Sequence, residues 1–475
     1  MFRLWMPFLI VLALLAGIIW SDFLSTVDFG DFLNQKISEC LKIAGYAISL
    51  PLASLVVFSW VTFIMFLRYR RIKNSMTVNQ CASFLLIAIV CAIALINLFR
   101  QNHGMTTENR DCFHLLFSIF IAQCYSLFYE NNSLGVHPQI VALVTQAVLA
   151  SVLFFACFYT SPLINLPHYH GLQREVGPWS SPNEYGVFMA TGVVLLTGII
   201  CWTTYSTLIF GIANLTTKNR ILRFSVVVVL AIILTCFIYS LIRSFSRGAW
   251  LGAATGVSFL IYRLNVLLTV RKLVKHFYRT LVIVLAIIGM CCLVSFFFLA
   301  DNFNHKVLLR IQSVTKSVDF SWRNRLVAYE ASLQMIADAP ILGHGWGNTA
   351  ALYNSFYKPA SIADGGLAGA AILTNGFAVF AVSLGVPAFV FFVSYTLTRI
   401  NSGHSSRLSR KTLLRDTSRA VILVLAIGFF FDGGIFNLAF SSLFFLFAEL
   451  CALSKEGSFS RQEDYALQGQ RISWK

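Results

Sequence analysis

The chain is 475 residues long, 57% hydrophobic and only 12% charged, with a mean hydropathy of +0.73. A soluble chain of this length carries roughly twice that charged fraction, so soluble domains, coiled coils and disordered scaffolds are excluded and a polytopic helical membrane protein is left. The 36 Lys and Arg outnumber the 20 Asp and Glu by 16, and in a membrane protein such an excess reports sidedness before it reports any nucleic-acid partner.

Met1-Phe2-Arg3 and the apolar run to Trp20 resemble a signal sequence. No small-x-small cleavage site follows, so the run reads as an uncleaved first span. Further stretches of crossing length lie at 41–67, 81–99, 112–128, 139–159, 184–202, 223–242, 247–262, 280–300, 376–398, 419–434 and 438–453, which with 5–20 makes about 12 transmembrane helices. The connections fall into two alternating sets. One holds Arg3, the cluster from Arg68 to Lys73, Lys218 to Arg223, Arg263 to Arg279, Arg399 to Arg419 and the tail, and carries 23 Lys and Arg. The other carries 13, six of them in 301–375, and long loops count little for orientation. The first set is therefore expected in the cytoplasm, with both termini. The layout is all-α: spans one to nine in 1–300, a large outer loop with an amphipathic helix in 301–375, spans ten to twelve in 376–453, and a cytoplasmic tail at 454–475. The 11 cysteines include no C-x-x-C pair and no His/Cys spacing that suits zinc, so no metal site and no cofactor are expected. Cys40 and Cys112 fall near span ends, where a disulfide is one reading.

In chain order, the polar residues that need explaining sit at outer boundaries. Asn183 and Glu184 open the sixth span. Arg243-Ser-Phe-Ser-Arg247-Gly-Ala-Trp-Leu-Gly252 bridges the seventh and eighth. Two arginines in so short a turn are costly to desolvate unless they meet an anion, and a guanidinium suits bidentate phosphate contact. Snorkelling to headgroups or helix capping is the plainer reading. Gly248 and Gly252 leave room for backbone or ligand.

In the long loop, Arg325 to Asp338 places Leu326, Tyr329, Leu333 and Ile336 on one helical stripe, ended by Pro340. Its opening, Trp322-Arg323-Asn324-Arg325, puts cations where a helix dipole favours anions, so these arginines answer either an outside anion or Asp319 and Glu330. Leu342-Gly-His344-Gly-Trp-Gly-Asn348 reads as a glycine-rich helix exit or as a backbone nest for an anion, with His344 a weak candidate base. Asn375 opens span ten and Asp432 ends span eleven; each is a boundary polar residue or a hydrogen-bonded helix terminus.

Three stretches together resemble the O-antigen ligase/polymerase family of bacterial membrane glycosyltransferases: Ser246-Arg-Gly-Ala-Trp-Leu-Gly252, the run from Arg325 through Asp338 and Pro340 to Gly347-Asn348, and Pro182-Asn-Glu-Tyr185. The resemblance covers about residues 180–435. It implies a GT-C-like bundle in a bacterial inner (plasma) membrane and a metal-independent transfer of glycan from a polyprenyl-pyrophosphate-linked oligosaccharide donor. The acceptor is a glycan or lipid A-core, the setting is the lipid bilayer without nucleic acid, and polysaccharide assembly proteins are candidate partners. Carried over, Arg247 and Arg325 grip the pyrophosphate; Glu184 and His344, not carried over, are the candidates for the base. Arg243, Arg323, Asn183, Asn375 and Asp432 are candidates for substrate binding. Ligases of this family carry His, then Asn, Ser or Gln, nine residues and Gly at span ten. Here Thr374-Asn375, nine residues and Gly385 keep the spacing without the His. That departure favours a polymerase over a lipid A-core ligase. A transporter, as proposed for some cyanobacterial relatives, is the reading from another class; it predicts broken helices and polar sites at the bilayer midplane.

Overall fold

The structure is a computed structural model, and the residues it describes are 50–72, 78–100, 110–130, 138–157, 168–169, 172–177, 179, 181–209, 217–269, 320–357, 375–401, 410–432 and 434–452. Seven helices come first: α1 (Leu50–Ile72), α2 (Val78–Arg100), α3 (Arg110–Glu130), α4 (Pro138–Cys157), α5 (Pro182–Ile209), α6 (Thr217–Arg243) and α7 (Arg247–Thr269). Between α4 and α5 lies a two-residue hairpin, β1 (His168–Tyr169) antiparallel to β2 (Leu172–Gln173). Then come α8 (Phe320–Asp338), α9 (Asn348–Leu352) running into a π-turn at Tyr353–Tyr357, α10 (Gly376–Asn401), α11 (Arg410–Phe431), a 3₁₀ turn at Gly434–Phe436, and α12 (Leu438–Ala452). Ten of the apolar stretches read from the sequence fall on these helices. Those at 5–20 and 280–300 lie outside the described residues, as does Cys40.

Pro182–Thr204, Ser225–Arg243 and Gly376–Asn401 are long and apolar enough to cross a membrane, and Val56–Arg68, Leu85–Asn97, Asp111–Leu127, Ile140–Phe155 and Leu438–Cys451 are shorter apolar helices. Apolar on all sides, such segments bury their backbone polar groups internally and are at home in lipid or in a bundle core. α5 is the central pillar, packed by α4, α6, α7 and α11. α6 sits at the edge and turns Val226, Val229 and Ile232 outward. α12 packs on α3 and α11, and α10 packs on α2. α7 runs on past its apolar 247–262 portion because Arg263, in the added turns, finds an acid: its Nε donates to Asp416 of α11 at 3.0 Å.

α7 meets α11 along a glycine stripe. A methyl group on Gly248 would stand 2.5 Å from the Phe431 ring, and one on Gly252 would stand 3.3 Å from the Val424 carbonyl. The space these glycines leave is thus filled by α11 rather than by a ligand.

α10 is broken. Gly385 takes φ 85°, ψ 168°, a region open essentially to glycine alone, and Pro387 follows. The break frees backbone groups that the segment after α8 satisfies: His344 N–H donates to the Val382 carbonyl (2.8 Å), Gly345 N–H to Ser383 (3.0 Å), and Val386 N–H to Pro340 (2.8 Å). The spacing from Asn375 to Gly385 therefore has a mechanical meaning. Asn375 caps the helix, its Oδ1 accepting from the N–H groups of Phe377 (3.1 Å) and Ala378 (3.2 Å), and after nine intervening residues the helix opens at Gly385 to receive the loop.

The opposite end of the bundle holds buried ion clusters. Glu449 of α12 accepts from Arg68 (3.1 Å), Gln123 (3.1 Å), Ser126 (2.9 Å) and Tyr395 (2.9 Å), and pairs with Arg399 Nη2 at 2.9 Å. Arg68 also donates to Gln123. Asp416 takes Arg263 on one oxygen and Arg419 (2.7 Å) on the other. These groups join α1, α3, α10 and α12 in one cluster and α7 and α11 in the other.

Candidate functional site

The α6–α7 turn is the first component. Ser244 Oγ donates to the Leu241 carbonyl (2.7 Å) and accepts from Ser246 N–H (3.2 Å), while Trp250 Nε1 reaches the same Leu241 carbonyl (2.9 Å). Phe245, 2% exposed, is held at φ 50°, an uncommon backbone state for a bulky residue that surrounding structure must enforce. Beyond the turn Arg247 begins α7 half-buried. A cation there opposes the helix dipole, so capping does not explain it.

Arg243, at the end of α6, pairs through Nε with Glu175 Oε1 at 2.9 Å and donates from Nη1 to Tyr239 Oη at 2.9 Å. Burial pushes the Glu175 carboxyl up from its ordinary range, and the Arg243 charge opposes that shift. Arg174 Nε donates to the Ser244 carbonyl (2.9 Å) and its Nη2 to Asn183 Oδ1 (2.9 Å). Neither Arg174 nor Glu175 was singled out in the sequence; their only signal is a basic–acidic pair in the 160–183 connection.

α8 is the second component. It begins at Phe320, five residues before the expected start. Arg325 therefore lies in its second turn and not at its opening, where a helix dipole would oppose a cation. Leu326 and Leu333, from its apolar stripe, face outward at 48% and 69% exposure. The face that packs is the one bearing Arg325, Ala328, Ala331, Ser332 and Met335. Small side chains let α8 lie close on α10, and close approach outweighs burial of two leucines. Arg325 donates from Nη2 to the Phe431 carbonyl (3.2 Å), its guanidinium stands 5.1 Å from the Phe431 ring centroid, and Tyr329 Oη donates to the Phe430 carbonyl (3.2 Å). Arg325 thereby meets the carbonyl end of α11, where a helix favours cations. Phe431 is the shared element: its ring carries Arg325 and packs against Gly248, the residue after Arg247. Arg323 lies on α8, with its side chain outside the described residues.

Acidic and amide groups complete this end. Asp432, directly after Phe431, accepts from Ser181 Oγ (3.4 Å) through Oδ2, and its carbonyl accepts from Gly376 N–H (3.2 Å). Glu184, in the first turn of α5, accepts from Asn437 Nδ2 (3.4 Å), and its other oxygen is sealed from solvent. The 3₁₀ turn before Asn437 is fixed by His114 Nδ1 at the Phe436 carbonyl (3.0 Å) and by Trp346, whose ring lies 5.3 Å from Phe436 and whose Nε1 donates to Ala94 (3.0 Å). Arg243, Arg247, Arg325, Asn183, Glu184, Asn375 and Asp432 thus gather at one end of the bundle.

His344 is placed elsewhere. Its Nε2 meets the Met335 carbonyl at 2.8 Å, ten residues along α8 from Arg325, or about 15 Å of helix rise. The Gly343 N–H donates to the Ala339 carbonyl and those of His344 and Gly345 to Val382 and Ser383, so these three amides are spent within the protein and the glycine-rich stretch is a helix exit docked on α10.

No curated protein matches the chain as a relative. Asn183, Glu184 and Asp432 stand outside the matched part of the chain, and the remaining candidates stand inside it. Residues 230–393, from the middle of α6 to just past the break in α10, match the family model described as O-Antigen ligase, so over that stretch the chain is similar to the O-antigen ligases and the resemblance read from its sequence is borne out.

Proposed function

We propose that the chain is a membrane glycosyltransferase that moves glycan from a polyprenyl-pyrophosphate donor to a sugar hydroxyl and so lengthens a surface or exopolysaccharide. The observation that carries the reading is Phe431, whose ring lies 5.1 Å from the Arg325 guanidinium and packs against Gly248, the residue after Arg247. If both guanidiniums reach the same donor, they supply the fork geometry that a pyrophosphate accepts. As the glycosidic C–O bond breaks, the electron pair leaves on the pyrophosphate, and fixed cations stabilise that charge without a metal ion. The acceptor hydroxyl forms the new bond and gives its proton to a carboxylate at the same end, Asp432 or Glu184. α8, strapped by Arg325 and Tyr329, covers the donor and limits hydrolysis. Threonine at 374 in place of the family histidine favours chain growth over transfer to lipid A-core, because its hydroxyl does not titrate near neutral pH.

The test uses purified full-length protein with a polyprenyl-pyrophosphate oligosaccharide and EDTA. A ladder of products is expected, and Arg247→Ala and Arg325→Ala should each abolish it while the protein still inserts. Normal ladders from both variants would sink the clamp. A single transfer to lipid A-core with no ladder would establish a ligase instead.

A further inference from the structure

We infer that the 174–177 segment is a strap whose residues Arg174 and Glu175 set the position of Arg247, acting through the α6–α7 turn rather than by touching the donor. The inference rests on the clamp reading above.

The turn between Arg243 and Arg247 has a reason to drift, since Phe245 sits at φ 50° in a buried site, and such a state persists only where neighbours over-determine it. The strap supplies that determination with three polar contacts to the turn and a fourth to the start of α5. Glu175 N–H donates to the Arg243 carbonyl at 3.2 Å, and its carboxylate pairs with Arg243 Nε at 2.9 Å. Arg174 Nε donates to the Ser244 carbonyl, and its Nη2 donates to Asn183 Oδ1, both at 2.9 Å. One planar guanidinium thus ties the turn to the start of α5, so that Arg247 is referenced to the same helix that carries Asn183 and Glu184. Arg174 is 9% exposed, and holding a guanidinium there is costly unless its fork is used in full.

The strap itself is anchored. Gly177 adopts φ +57° over Tyr185, where a methyl group would stand 2.5 Å from the ring, and Trp179 stacks on Phe188 with ring centroids 4.3 Å apart. Arg174, Glu175 and their anchors all precede residue 230, so the part of the chain outside the family match holds the turn inside it.

A positioning residue and a direct ligand predict different couplings. The test measures binding of farnesyl pyrophosphate, with uncharged farnesol as control, to the detergent-purified full chain. Arg174→Ala should weaken farnesyl pyrophosphate about 10- to 100-fold and leave farnesol unchanged. In an Arg247→Ala background the same substitution should cost nothing further. Arg174→Lys should rescue poorly, because one ammonium cannot serve both the Ser244 carbonyl and Asn183. Glu175→Gln, which keeps its backbone bond, should lose only a few-fold in affinity. Additive losses in the double variant would show that Arg174 grips the anion itself and would overturn the strap. An inert Arg174→Ala beside a damaging Arg247→Ala would also overturn it, leaving the clamp intact. An inert Arg247→Ala would fail the clamp first and the strap with it. Should Arg174→Ala not fold, Arg174→Lys and Glu175→Gln carry the same comparison.

Discussion

At the far end of the bundle Arg68 and Arg399 share Glu449, and all three are at most 2% exposed. At the site end the Arg243 side chain keeps a third of its surface open, Arg247 is half-buried, and Arg325 meets a carbonyl and a ring at the edge of α11. The first arrangement closes on itself: every oxygen of Glu449 is used by groups of the protein, so nothing is left to bind. The second keeps Arg243 and Arg247 partly exposed, as the proposed clamp requires. Burial against a shared acid marks an arginine that holds helices together. Arg243 and Arg247 are partly exposed, whereas Arg325, 9% exposed, is buried like the far-end arginines but meets a carbonyl and a ring instead of an acid.

The largest effect should come from breaking the closed end. Glu449→Gln leaves Arg68 and Arg399 buried against a neutral group, and removing one partner of such a pair costs about 3–5 kcal/mol. Thermal unfolding in detergent should show a large fall in midpoint and a poor yield of folded protein. A midpoint within a degree or two of the parent would mean that the far cluster does not hold the helices together.

Next comes Arg325→Ala, whose expected cost falls on transfer rather than on folding. Loss of one preorganised group facing developing charge is worth about 10²- to 10³-fold in rate, whereas the lost bond to the Phe431 carbonyl costs about 1 kcal/mol of stability. Rate and melting temperature measured side by side separate the ends: a stability loss as large as that of Glu449→Gln would make Arg325 a far-end arginine in the wrong place.

Gly385→Ala probes what joins the ends, since the break in α10 is where the α8 exit loop docks. The substituted methyl would stand 2.2 Å from the Ile341 carbonyl oxygen, and the backbone region alone costs about 1–3 kcal/mol for a residue with a side chain. Limited proteolysis should show the 340–347 loop cut sooner than in the parent. Unchanged protection would show that the loop does not depend on the break.

The sequence made the spans legible because periodic and uninterrupted apolar runs have few other uses, and it made Arg243 and Arg247 legible because two arginines in one short boundary turn are costly to desolvate. Arg325 reads as part of a helix opening, whereas that helix begins at Phe320. Arg174 and Glu175 escaped because their partners lie about 70 residues away, at the Ser244 carbonyl and at Arg243, and nothing local distinguishes a strap from a loop. Glu449 was visible only as an acid in a span; its partners come from α1, α3 and α10. The stripe of α8 left open which face would pack on the bundle. Periodicity reports which face is apolar, but packing against α10 selected the face with small side chains.

The smallest expected effect concerns Asn375, which stands between the two classes: 7% exposed like a structural residue, yet at the site end. Its Oδ1 serves two N–H groups at the start of α10, and removing such a cap with Asn375→Ala costs about 1 kcal/mol. Asn375→Asp keeps the acceptor and adds a charge that a helix start favours, so it should restore stability. It should also keep the rate of transfer if capping is the whole of the role. Full stability with lost transfer in the Asp variant would instead place the amide on the acceptor. The site end would then reach across α10 from the arginines to the residue beside Thr374.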